Sequence, residues 1–223
     1  MNKQSIPKVF IYSFISLILT IQPLLSTTNF NGATGLIFIP TAEALNYKEC
    51  NYGLDYSLAK DKDNLNYKYK VNMGIYENIE LGFSGGKYPS EGVYVNTKYY
   101  LMSTEERFPL KIAIGVENLT AKDHTSVYTV FSKRLNPETS GHFGFNAKFD
   151  DEITPGILAG LTFYLTEIVE ILADISGEGQ TYTANVGARL YYSDYGTFQI
   201  ALSNIFNLTE PSLILGITQR NFL

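Results

Sequence analysis

From Asn51 onward the chain repeats one pattern: about eight to eleven residues of alternating apolar and polar side chains, then a short polar or Gly/Pro-containing break. In Asn66 to Met73, the residues Tyr67, Tyr69, Val71 and Met73 share one face of an extended chain and Asn66, Lys68, Lys70 and Asn72 the other, because successive strand side chains point to opposite sides. The split recurs in Gly141 to Asp150, with Phe143, Phe145, Ala147 and Phe149 against His142, Asn146, Lys148 and Asp150. It recurs again in Thr181 to Tyr192, with Tyr182, Ala184, Val186, Ala188 and Leu190 against Thr183, Asn185 and Arg189. Helical spacing fits none of these windows.

The pattern predicts about twelve strands, with ten as the lower count: 51–60, 66–75, 78–86, 92–102, 108–118, 124–134, 141–150, 156–166, 168–176, 181–193, 197–206 and 211–220. The segment 124–134 fits worst, since each of its faces mixes apolar and polar groups. With the N-terminal side in the periplasm, the periplasmic connections are Tyr76-Glu77-Asn78, Ser103 to Arg107, Leu135 to Ser140, Thr166-Glu167 and Ser193 to Gly196. Most are very short, as the periplasmic turns of a membrane barrel are. The opposite loops, such as Gly85 to Gly92, are scarcely longer.

Alternation also describes soluble barrels and sandwiches, so the direction of the alternation decides. The polar faces collect Lys68, Lys70, Lys98, Lys111, Lys148, Arg189 and Arg220 against Asp55, Glu80, Glu117, Asp150, Glu170 and Asp174, while the other faces carry almost no charge. A soluble barrel turns its charges to water; a membrane barrel turns its apolar face to lipid and keeps polar groups inside. The expected fold is therefore all-β, a closed antiparallel up-and-down transmembrane β-barrel over 51–223. Tyr67, Tyr99, Tyr182 and Tyr192 are its expected interfacial girdle residues. Near-equal numbers of opposite lumen charges predict a narrow or self-plugged interior. The alternatives are a soluble secreted β-barrel or binding protein, and an open outer-membrane channel or porin.

The first 28 residues read as a secretory signal peptide. Lys3 and Lys8 precede the apolar run Val9 to Leu25, and small polar residues follow, so cleavage is expected between Ser26 and Asn29. That sends the rest to the outer membrane of a diderm bacterium, with outer-membrane lipid and the barrel assembly machinery as partners. In the last strand Leu213, Leu215 and Ile217 alternate and Phe222 follows, though Gln219 and Asn221 break the apolar line. The net charge is −5, and the leader holds two of the lysines, so no basic excess exists to attract nucleic acid. Cys50 is the one cysteine, which excludes an internal disulfide.

Between leader and barrel, residues 29–50 form an entry segment with the run Asn31-Gly32-Ala33-Thr34-Gly35-Leu36-Ile37-Phe38-Ile39-Pro40-Thr41-Ala42. This resembles the entry motif of the YjbH-like outer-membrane proteins, a family associated with exopolysaccharide production. Gly32, Thr34, Gly35, Leu36, Ile37, Pro40, Thr41 and Ala42 carry the resemblance. It implies an exopolysaccharide-linked barrel with polysaccharide export components as partners. Read physically, the run is a Gly-rich turn and an apolar segment ending at a proline. Proline cannot donate a ladder hydrogen bond, so the run belongs at a barrel mouth or inside the lumen, as a plug or brace.

No constellation for catalysis emerges. His124 and His142 are isolated, no Gly-x-Ser-x-Gly elbow accompanies them, and Asp61-Lys62-Asp63-Asn64 lacks the glycine and glutamate of a calcium loop. The expectation is a protein that is not an enzyme, with no cofactor and no catalytic, cofactor-binding or metal-ligating residues.

Overall fold

The computed structural model describes residues 27–58, 65–87, 92–103, 110–121, 124–206 and 211–223. The leader up to Ser26 and the acidic loop Asp61 to Asn64 lie outside these residues. Twelve strands follow one another: β1 (Glu49–Leu58), β2 (Leu65–Tyr76), β3 (Ile79–Gly86), β4 (Gly92–Ser103), β5 (Leu110–Glu117), β6 (Thr125–Arg134), β7 (Thr139–Phe149), β8 (Ile153–Thr166), β9 (Val169–Glu178), β10 (Thr181–Ser193), β11 (Gly196–Ser203) and β12 (Ser212–Phe222). Each pairs antiparallel with its sequence neighbours, and β1 closes on β12 with Asn51 opposite Arg220. The result is an up-and-down barrel without a free sheet edge, and no helix occurs among the described residues.

The strand ends differ from the sequence reading by at most three residues. The largest differences have local causes. Pro155 ends the alternation on paper, yet it sits near the start of β8 opposite Ala147, where its carbonyl still accepts from Gly179 N–H at 3.0 Å. At the other, Asn204 turns to φ 58 and stops β11 three residues early. Left-handed residues also make the tightest reversals, Asn78 at φ 73 after β2 and Gly179 at φ 60 after β9. Such conformations cost Asn and Gly least.

The faces are inverted relative to a soluble barrel. Phe145 is 52 % exposed on the outer wall, while Lys68 and Lys98 are 0 % and 1 % exposed inside. An outer surface carrying Ile114, Phe143, Phe145, Ile157, Leu161, Ile200 and Ile217 is far larger than the apolar patches water tolerates. It is a lipid-facing belt, and the closed sheet leaves no strand edge with unpaired amides toward that belt. Exposed Tyr67 and Tyr182 stand at the end of the barrel that carries the β1–β2 and β9–β10 connections, here the loop end. Exposed Tyr99 and Tyr192 lie toward the opposite, turn end, so aromatic residues mark both edges of the belt.

Candidate functional site

The lumen is occupied by the chain itself. Thr28, Asn29, Ala33, Thr34, Leu36, Ile37, Ile39 and Ala42 are almost wholly buried although they belong to no strand. The segment 27–46 folds back on itself, with isolated bridges Thr28–Thr34 and Gly35–Pro40 and a bond from Phe30 N–H to Ile37 O at 2.7 Å. Gly35 permits the tighter reversal, because a Cβ there would run into the carbonyl of Ile39 and the Cα of Pro40. The proline lies inside the lumen, and the chain leaves for β1 at the turn end.

Two kinds of contact seat this plug. The first is apolar: Phe30, Leu36, Ile37, Ile39 and Ala42 pack with Ala113, Tyr128, Val130, Leu158, Leu172, Ala201 and Ile214 of the wall. These wall residues explain the mixed faces of 124–134, since Tyr128 and Val130 of β6 point inward to an apolar partner. Gly160 of β8 makes room for them, because a Cβ there would meet Leu36 Cδ2 at 2.8 Å and Ile39 Cδ1 at 2.9 Å.

The second kind is polar, and charged wall side chains bind plug backbone. Asp174 Oδ2 accepts from the N–H groups of Ile37 and Phe38, both at 2.8 Å, and of Ile39 at 3.4 Å. Arg189 donates to the carbonyls of Gly35 at 2.7 Å and Leu36 at 2.6 Å. Glu80 accepts from Thr34 N–H at 2.9 Å, Thr34 Oγ1 at 2.7 Å and Leu45 N–H at 3.2 Å. Lys98 donates to the carbonyls of Thr34 and Glu43, each at 2.8 Å, and to the Thr34 hydroxyl. Lys70 donates to Thr28 O at 3.2 Å and Asn29 O at 3.0 Å. Bonds with one ionised partner are roughly twice as strong as neutral ones, so a segment without a sheet of its own gains fixed backbone geometry.

The same charges neutralise one another. Asp55–Lys70 close at 2.6 Å, Glu80–Lys98 at 3.6 Å, Glu170–Arg189 at 3.5 Å, and Glu49 pairs with Arg220 near the turn end. Buried charges need such partners, because removing one leaves the other desolvated and uncompensated. Glu43, which the sequence reading did not single out, enters from the plug and meets Lys111 at 3.3 Å. Burial pushes its carboxyl up, but the facing His142 and Lys111 and a bond from Thr41 outweigh that and hold it below its ordinary 4.5. His142 Nδ1 shares a 2.8 Å hydrogen bond with Ser132 Oγ, which accepts from Ala42 N–H at 2.8 Å. His124 lies instead at the loop-end mouth, and Asp150 is exposed on the rim rather than in the lumen.

The plug separates two cavities. At the loop end lies one of about 410 Å³, floored by Phe30, Asn31, Phe38, Ile39 and Pro40. At the turn end one of about 400 Å³ is lined by Glu43 to Tyr47, Glu77, Asn78, Tyr100 and Lys111. The fold is that of the porin barrels. It matches a KdgM porin with a TM-score of 0.60 over 78 % of this chain and 99 % of that one, at 10 % identity. A NanC porin matches at 0.55 and 8 % identity, over 77 % and 99 % of the two chains. An outer membrane channel from Pseudomonas putida F1 matches at 0.53 and 10 % identity, over 81 % and 98 %. No family model and no curated protein sequence matches the chain.

Proposed function

We propose that this protein is an outer-membrane channel held closed by its own N-terminal segment, which must shift before a polar solute passes. One observation carries the reading: residues 27–46 fill the lumen midway between two polar, open-mouthed cavities. Twelve strands enclose more than the eight whose side chains fill a barrel and less than the sixteen of an open porin. A plug of this size is what a twelve-stranded lumen can hold. The pairs Asp55–Lys70, Glu80–Lys98 and Glu170–Arg189 are each made within the wall and use no plug side chain, so an emptied lumen would be a polar, self-neutralised passage.

The porin neighbours support this channel reading more than the exopolysaccharide link implied by the entry motif. One KdgM structure is a complex with disordered oligogalacturonate, an acidic oligosaccharide. The mouth here does not favour that cargo, since Lys148 already faces Glu178 at 3.6 Å and Glu117 adds a negative charge. The motif retains a role in this reading as the plug itself: Gly32 to Ala42 form its reversal and most of its apolar contacts.

Planar-bilayer recordings test the proposal. The wild-type chain should show low or no conductance, and a variant lacking residues 27–45 should show stable openings. A deletion variant that inserts yet stays silent would refute the channel and leave a solid, structural barrel.

A further inference from the structure

The loop-end cavity has the chemistry of a binding site and not simply of an entrance. Its volume, about 410 Å³, lies in the range of small-ligand pockets, about 300–1,000 Å³. Its floor is aromatic, with Phe30 and Phe38 tilted at 48° and their ring centroids 5.2 Å apart. The walls around that floor are hydroxyls and amides from many strands, among them Ser57, Asn66, Ser176 and Thr183.

Three polar atoms of residues lining this cavity have no hydrogen-bond partner among the described residues: Tyr128 Oη, Asn146 Oδ1 and Asn118 Oδ1. Tyr128 is 3 % exposed, and it stands directly opposite Asn146 across β6 and β7. Its ring leans along the wall over Gly115, where a Cβ would collide with the hydroxyl. Buried polar groups are ordinarily paired, so neighbouring exceptions call for an explanation. Tyr128 Oη lies against Gly115 and Asn146 Oδ1 against Gly156, flush with the wall, so a hydroxyl-bearing ligand supplies donors to the amide oxygens and an acceptor to the phenol as these side chains swing toward the cavity.

Charge narrows the class. Lys148 is paired with Glu178, and Glu117 accepts from Asn31 at 3.1 Å and Asn29 at 3.4 Å. Among the described lining residues no lysine or arginine is left without an acidic partner to hold an anionic group, and the Glu117 carboxylate disfavours one. The half-buried Phe38 ring, backed by the buried Phe30, beneath a wall of polar donors and acceptors suits a molecule with a C–H face and hydroxyl edges.

We propose that this vestibule binds a neutral sugar of one or two rings. The inference goes beyond the gated channel, and it needs the plug in place, because Phe30 and Phe38 belong to the plug. Binding therefore stands or falls separately from conductance.

The test uses the full chain in a sugar-free amine-oxide detergent, titrated calorimetrically with glucose, maltose and cellobiose, and with digalacturonate as an acidic probe. A neutral sugar should bind saturably and more tightly than digalacturonate. Tyr128→Phe removes one hydroxyl and should weaken binding about two- to tenfold, the worth of one neutral hydrogen bond. Phe38→Leu keeps an apolar floor without its ring and should weaken it as well; it serves also if Tyr128→Phe does not fold. Absence of saturable binding by every neutral sugar overturns the proposal. So does preference for digalacturonate, or unchanged affinity in the folded variants.

Discussion

At Asp174 one carboxylate fixes a reversal of the chain that no ladder supports. It gathers three consecutive plug amides and a 2.6 Å bond from Asn185. Asp174→Asn keeps the shape but removes the charge and turns a donor toward donors. Hydrogen bonds to a charged group contribute about 1.5–3 kcal/mol each. A loss of roughly 2 kcal/mol in plug seating should speed exchange of the Ile37 and Phe38 amides about thirty-fold, while strand amides keep their protection. Unchanged protection at those two positions would show that apolar packing alone seats the plug. Glu43 allows a second measurement. Its carboxyl titrates below 4.5 when folded, so its contribution to the seated state is full above that ordinary value and is lost as pH falls through the lowered midpoint. A carboxyl-carbon titration should find that lowered midpoint, and Lys111→Gln should move it upward. The signs of the wall residues were readable from the polar faces, whereas Glu43, in no strand, was not; the partners were unreadable because pairing depends on register. Glu80 opposes Lys98 and Glu170 opposes Arg189 directly, whereas Asp55 opposes Lys68 yet bonds the diagonal Lys70.

The strands were legible for a simple reason: lipid outside and a polar lumen inside impose period two on every one of them. Phe145 and Asn146 in β7 test that reading one residue apart. Phe145→Lys places a cation on the lipid face, where the cost near the bilayer midplane is about 2–4 kcal/mol. It should reduce the folded fraction in vesicles, read by the heat-dependent electrophoretic shift. Asn146→Lys points into the loop-end cavity and should fold nearly as well as wild type. Similar yields from both would mean that the outer belt does not meet lipid. The element that blurred the pattern was β6, whose inward Tyr128 and Val130 meet the plug. Its mixed faces were a signal of something apolar in the lumen, readable only once Leu36, Ile37 and Ile39 are known to be there.

For the whole molecule, plug and wall form a second core inside the first layer of structure. Deleting residues 27–45 strips the packing from Val130, Leu158, Leu172 and Ile214 but removes no partner of the main wall ion pairs. The barrel should therefore still form, with a lower midpoint of thermal unfolding in detergent than the full chain. Collapse of the deletion variant to an unfolded state would make the plug an obligatory part of the core, and a gate could not be built from it.

The seam between β1 and β12 has a further consequence, for assembly order. Glu49 to Leu58 must find Leu213 to Phe222 across nearly the whole sequence, and contacts between such distant segments form late because a long loop must first be closed. The plug immediately precedes β1 and shares its neck, where Lys48 N–H bonds Gly74 O and Leu223 N–H bonds Lys48 O. Until the seam closes, the incipient sheet is an open trough that could receive the plug sideways; afterwards the segment would have to thread through a mouth. Closure thus fixes which side of the wall the N-terminal segment ends on, and a chain that closes with the segment outside would be a long-lived misassembled form.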